Sequence, residues 1–273
     1  MYSRRELAAD LRALGLSSGD VVMVHASVRA VGNVAGGPDE IHLAVKDVLT
    51  LSGALIMYAS CPQYVDEIGR GHLSAAEEAE LLEKLPAFDA DTARSSRDNG
   101  ALVEFVRTYP GARVNHHPAR FVVWGAAAEY LLSEQPWDYA FGHGSIFERF
   151  VRLHGKILLL GSDHDNVTFL HYAEHIVDIP DKRIVRFKVP VAENGERVWR
   201  EMAEFDTSNG VHANWPPTFF AQLVDGYLDA TNDRGGRVGD APSFLFSARG
   251  LLDYSLPIMR AVAARQHASV LRA

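Results

Sequence analysis

His171 and Glu174 stand three residues apart within LLLGSDHDNVTFLHYAEHI, residues 158–176. On a helix that spacing puts both side chains on one face, within reach of each other. A histidine held by a carboxylate is a ready general base; the same two residues also suit a hydrogen-bonded core histidine with no part in catalysis. Thr168 precedes His171 by three residues and His175 follows it by four, so the face carries hydroxyl, imidazole and carboxylate. The string His171-Tyr172-Ala173-Glu174-His175 also matches H-x-x-E-H, which would supply two zinc ligands and a base for a zinc hydrolase. So short a pattern recurs by chance, and no distant helical Glu stands out as a third ligand.

The elements that must position these groups are legible around them. Ile157–Leu160 reads as a buried strand that breaks at Gly161, and a helix is expected to start near Asp165 or Asn166. Strand, turn and helix start, in that order, is where open α/β sheets place their ligands. VMVHASVRAVGNVAGGPDE, residues 22–40, repeats the arrangement: a strand runs into His25 and Ser27, followed by a loop with Gly32, Gly36 and Gly37. Free backbone N–H groups in such a loop can hold a pyrophosphate or a carbonyl oxygen, or the loop is an ordinary glycine turn. It is neither G-x-G-x-x-G nor a P-loop. In FGHGSIFER, residues 141–149, Ser145 and Glu148 have capping-box spacing. No G-x-S-x-G surrounds Ser27, Ser145 or Ser162, which argues against a serine hydrolase. Cys61, the single cysteine, excludes an intrachain disulfide framework and reads as a packed or loop residue.

The rest of the 273-residue chain frames these segments. Helices are expected at about 3–15, from Pro38, at 75–84, 101–109, 126–132, 146–153, 217–230 and 247–268; strands at 21–25, 54–59 and 120–125, with a short one in VGDAPSFLF. RIVRFKVPV and ERVWREMAEF alternate around Asn194-Gly195 as a hairpin. Alternating strands and helices followed by a hairpin predict an α/β fold with a mixed central sheet flanked by helices, in a single domain over 1–273. The net charge of −8 and the lack of a Lys/Arg cluster argue against nucleic acid and favour a cationic ligand. Asp66, Glu67, Asp89, Asp163, Asp165 and Asp206 lie at strand ends or in loops; each suits a solvated surface, and around one cleft they would suit a polycation. No apolar stretch approaches membrane-spanning length and the opening helix lacks the apolar core of a signal peptide, so a cytoplasmic protein is expected.

Several ordered blocks resemble one family. VMVHASVRAVGNVAGGP, FDADTAR, the His117-Pro118 pair, LLLGSDHDNVTFLHYAE, FDTSNGVHANW and RGGRVGDAPSFLF are similar to segments of the aminoglycoside 3-N-acetyltransferases, over about residues 6–250. The resemblance implies an antibiotic acetyltransferase fold distinct from GNAT, and transfer of an acetyl group from acetyl-CoA to the 3-amine of a 2-deoxystreptamine ring, without a metal. It implies that His171 is the base, supported by Glu174, with Thr168 beside them. It further implies that His25, Ala26, Ser27, Val28, Arg29 and Gly32 bind CoA, joined by Ser145 and Phe147 at a second segment where Ile146 stands in place of the family's frequent proline. Tyr64, Asp66, Glu67, Asp89, Asp165, Asp206 and His212 are the candidates for holding the cationic drug, in a monomer or homodimer. An acetyltransferase for another amine metabolite and a non-catalytic binder of cationic antibiotics are the other readings.

Overall fold

A computed structural model describes residues 1–61, 68–208 and 210–265. Among them the strands are β1 (Val21–Ala26), β2 (Ala54–Tyr58), β3 (Arg113–Val114), β4 (Phe121–Gly125), β5 (Lys156–Leu160), β6 (Ile184–Glu193), β7 (Glu196–Phe205), β8 (Gly236–Val238) and β9 (Ala241–Ser247). The helices are α1 (Arg4–Ala13), α2 (Val28–Val31), α3 (Asp39–Leu49), α4 (Ala75–Lys84), α5 (Leu102–Arg107), α6 (Ala128–Leu131), α7 (Ile146–Arg152), α8 (Leu170–Ile176), α9 (Phe219–Ala230) and α10 (Ala248–Ala264). None is long and apolar enough to cross a membrane.

One mixed sheet runs β3-β4-β2-β1-β5-β9-β8. Its three central strands, β2, β1 and β5, are parallel, and antiparallel strands close both sides. Apart from His25 in β1 and Lys156 at the start of β5, the central strands are built of apolar residues and Tyr58, because helices cover both faces. Side chains alternate between those faces: Val22, Val24, Leu158 and Leu160 join one core, and Met23, Ile157 and Leu159 join the other. The β6–β7 hairpin stands apart and lays Val185, Phe187, Val189 and Val191 over a third, smaller core. Its two-residue turn puts Asn194 and Gly195 at φ +52° and +82°, the primed-turn geometry that matches strand twist.

The structure departs from the sequence expectations at three places near the site. First, α8 starts at Leu170, not near Asp165 or Asn166, because the Asp163 carboxylate accepts the Asp165 N–H and curls His164–Asn166 into a separate 3-10 turn. Second, in place of one short strand in VGDAPSFLF, Gly236–Val238 and Ala241–Ser247 make two antiparallel strands, β8 and β9, and β9 pairs along the whole of β5. Third, the two-residue β3 completes the far edge of the sheet.

β1 lies between β2 and β5, with its pairings parallel on both sides. Ala26 pairs with Leu160, and the Ser27 N–H donates to the Leu160 carbonyl at 2.9 Å. The chain leaving β1 and the chain leaving β5 therefore open into one crevice. Close packing there depends on Gly161 at φ +60°: a Cβ would sit 2.3 Å from Ala30 Cβ and 3.2 Å from Ala241 Cβ. Further along, the segment entering β4 is pinned by buried polar groups. Asn115 Oδ1 accepts the Phe121 N–H at 2.6 Å, and the His117 Nδ1 accepts the Ala119 N–H at 3.0 Å. Burial lowers the His117 pKa from 6.5 to about 4, so its ring is neutral near pH 7.

Gly161→Ala should cost about 2–4 kcal/mol, from left-handed strain plus overpacking; a urea midpoint unchanged by the substitution would contradict the close approach. For His117, the unfolded chain takes up a proton below pH 6.5 while the folded ring resists until near pH 4. Stability should therefore fall across that window by about 1.4 kcal/mol per pH unit from this group. Urea unfolding of His117→Asn between pH 6.5 and 4.5 should show a correspondingly shallower decline, and equal slopes would count against a buried neutral ring.

Candidate active site

α8 carries the central pair. His171 Nδ1 lies 2.8 Å from Glu174 Oε2, and the other oxygen, Oε1, accepts the Trp215 indole N–H at 2.8 Å. Glu174 is 1% exposed. An ionised carboxylate can only accept, so Nδ1 carries the imidazole proton and Nε2 keeps its lone pair. The ring is held on its faces as well: Phe141 stacks on it at 5.4 Å and 23°, and Phe220 meets it edge-on at 5.0 Å. The His171 side chain remains 25% exposed, which leaves it accessible from the crevice.

His171 borders three cavities. The first, of about 580 Å³, is lined by His25, Ala26, Ser27, Asp165, Thr168 and others at the ends of β1 and β5. The second, about 540 Å³, lies under the loop before α9, with Asp165, Glu174, Thr207 and Trp215 in its wall. The third, about 240 Å³, includes Tyr58, Arg70, Asp98, Phe141 and Glu204. Burial lowers the His25 pKa from 6.5 to about 4, so a neutral imidazole lines the first cavity. Its Nε2 has no hydrogen-bond partner among the described residues. An imidazole base, a hydroxyl and open strand-end backbone around one crevice can move a proton and accommodate a developing oxyanion.

The structure brings together Thr168, His171, Glu174, His25, Ala26, Ser27 and Asp165. The Ser27 side chain also caps α2 through the Ala30 N–H. Other expected residues stand elsewhere. Val28 packs against the opposite core, Arg29 is exposed, and Gly32 lies against the Asp240 carboxylate; none lines the three cavities. Ser145 and Phe147 are buried, the first capping α7 and the second in the aromatic core, and neither borders those cavities. The Ser145 hydroxyl oxygen accepts the Glu148 N–H, as its spacing from Glu148 predicts.

Asp89 closes a local turn through the N–H groups of Asp91 and Thr92, which hold its carboxyl below the usual range, and it too stands outside the cavities. Asp206 is paired with Arg70 at 2.6 Å, so its charge is met within the protein. His212 is buried under Trp215, its Nδ1 accepting the Asn214 N–H. Tyr64, Asp66 and Glu67 lie outside the described residues.

Neither ring nitrogen of His175 is turned to share a metal with the His171 imidazole. Its Nδ1 meets the His171 carbonyl at 2.7 Å and its Nε2 meets Glu204. With both nitrogens engaged, the two histidines of H-x-x-E-H do not converge on a metal, and among the described residues no group of His, Cys, Asp and Glu could hold one. Sequence reasoning missed Phe141, Phe220, Asp98 and Glu204, and missed Trp215 as the second donor to Glu174. No local spacing pointed to any of them: Trp215 is 41 residues from its partner.

A family model described as aminoglycoside 3-N-acetyltransferase matches residues 23–260. Aminoglycoside N(3)-acetyltransferase III of Pseudomonas aeruginosa is 35% identical over 259 residues, covering 93% of this chain and 92% of that one. Among solved structures, AAC-IIIb in a binary complex with CoASH has a TM-score of 0.86 at 39% identity, covering 94% of this chain and 96% of that one. Sisomicin-bound AAC-VIa, from a room-temperature neutron/X-ray study, has a TM-score of 0.89 at 35% identity, covering 96% and 99%. The mixed sheet with helices on both faces is the architecture of those acetyltransferases rather than that of GNAT. With the match extending over nearly the whole chain in both sequence and structure, the chain belongs to the aminoglycoside 3-N-acetyltransferase family of acyltransferases.

Proposed function

We propose that this protein acetylates the 3-amine of the 2-deoxystreptamine ring of aminoglycosides from acetyl-CoA, acts in the cytoplasm, and thereby confers resistance. The observation that carries this reading is the Trp215–Glu174–His171 chain of hydrogen bonds at the meeting point of three cavities. Its likeness to AAC-IIIb, solved with CoASH, and to AAC-VIa, solved with sisomicin, supports CoA and an aminoglycoside as its two substrates. CoA takes the first cavity, along His25, Ala26 and Ser27; the drug takes the other two, where Asp98 and Asp165 meet its ammonium groups.

A substrate amine arrives largely protonated and must lose that charge before it can attack. The amine nitrogen then forms a bond to the thioester carbon while His171 Nε2 takes its proton. Glu174 and Trp215 hold the imidazolium in register, and the carboxylate offsets its charge. The carbonyl oxygen becomes an oxyanion, met by the Thr168 hydroxyl or by backbone N–H groups of 25–29. On collapse the C–S bond breaks and the imidazolium returns its proton to the leaving thiolate, giving amide and free CoA thiol. Transfer is direct, since among the described residues no activated nucleophile stands beside the base.

The reading is tested by drug-dependent CoA thiol release, followed with a disulfide reagent across gentamicin, kanamycin, apramycin and neomycin. CoA binding without release from any of them would move the substrate to another amine. His171→Ala should lower kcat by roughly 10³-fold with CoA affinity little changed; near-normal turnover would remove His171 as the base. Trp215→Phe keeps the ring and deletes one bond to a buried charge, so kcat should fall by about tenfold with KM for acetyl-CoA unchanged. A wild-type rate in that variant would show the indole bond to be dispensable.

A further inference from the structure

His175, the last residue of H-x-x-E-H, has no part in the chemistry above, yet it is among the most tightly engaged side chains near the base. It is almost wholly buried, and its partner Glu204 comes from β7 on the hairpin. We propose that His175 and Glu204 form a positioning pair that sets the ring of His171, a role that rests on the reading of His171 as the base.

The pair reaches His171 by two routes. Through the backbone, His175 Nδ1 faces the carbonyl oxygen of His171 itself at 2.7 Å. A carbonyl carries no proton, so Nδ1 donates, and the hold falls on the main chain from which the base projects. Through packing, Glu204 fixes the surface on which the base rests. Its Oε2 accepts the Ala140 N–H at 2.8 Å, and Ala140 precedes Phe141, the ring stacked on His171. Phe141 also meets His175 edge-on at 5.6 Å, which closes the circuit between the two routes.

Glu204 holds three groups in all: it meets His175 Nε2 and accepts the Ala140 N–H at 2.8 Å and the Phe205 N–H at 2.9 Å. One carboxylate thus ties α8, the loop before α7 and the hairpin to a common point. The loop is laced to β7 just before that point as well: Ala203 N–H donates to Asp138, and Tyr139 N–H donates to the Ala203 carbonyl. A buried polar pair is a poor way to gain stability, because desolvation offsets its attraction. What it supplies is direction: one bond is aimed at the His171 carbonyl and another at Ala140, the residue before its platform.

Glu204 also borders the third cavity, so a direct contact with the drug is the competing role. The test is steady-state kinetics of Glu204→Gln and His175→Asn with acetyl-CoA and an accepted aminoglycoside, below the unfolding temperature of each variant. His175→Asn keeps a donor near the Nδ1 position and loses the reach to Glu204, so the two substitutions cut the same link. Each should lower kcat by about tenfold, with KM for acetyl-CoA and for the drug within about twofold of wild type, and the double variant should be no slower than the worse single one. A raised drug KM at unchanged kcat in Glu204→Gln would overturn the proposal in favour of a substrate contact. Lower thermal stability with kcat intact would overturn it in favour of a structural role. His171→Ala, run alongside, separates the two readings. If it is inactive while both variants turn over at full rate, only the positioning pair fails; if it remains active, the base assignment fails and takes the pair with it.

Discussion

A carboxylate buried to 1% exposure must have its charge met by donors, and Glu174 draws those donors from two distant parts of the chain. One is the imidazole a turn away on α8. The other is the indole of Trp215, from the loop that follows the hairpin. Satisfying this single group brings the helix after β5 and the segment before α9 into contact, and it fixes which nitrogen of His171 keeps a free lone pair. The tautomer and orientation of the His171 ring and the contact that walls the second cavity all follow from one buried carboxylate.

The sheet decides where that assembly sits. Because β1 is parallel to both neighbours, its end and the end of β5 deliver two chain segments to the same edge. One segment brings His25 and Ser27, and the other brings Thr168 and His171. The glycine between β5 and the 3-10 turn lets them approach, as no side chain could fit against Ala30. The hairpin adds a wall from outside the main sheet, supplying Phe187, Met202 and Glu204.

How much of this could be read from the sequence depended on how local each interaction is. His171 and Glu174 were legible because helical spacing alone brings them together. The central strands were legible because apolar runs bounded by glycine and polar turns admit few other readings. The hairpin was legible from Asn194-Gly195. Trp215, Glu204 and Phe141 were not, since each reaches the base across the fold with no periodicity to announce it. The partners of the acidic residues were hidden for a related reason. Asp206 and Asp89 look like free carboxylates in one dimension, yet the first is paired with Arg70 and the second accepts N–H bonds within its own turn. Ser145 was legible as a cap, but the same fact that makes it a cap buries it away from the crevice.

The loop between β7 and α9 does two jobs with one stretch of chain: it walls the second cavity, and it delivers the indole to Glu174. With His171 as the proposed base and this cavity as the proposed drug site, a substitution that reshapes the wall around Trp215 would also shift the anchor of the base. Breadth and speed would then be linked traits, and selection for a new antibiotic would meet a trade-off at the first step. Variants that widen the range without slowing the enzyme would arise more readily in the third cavity, around Asp98 and Tyr58, which can change while Trp215 stays in place.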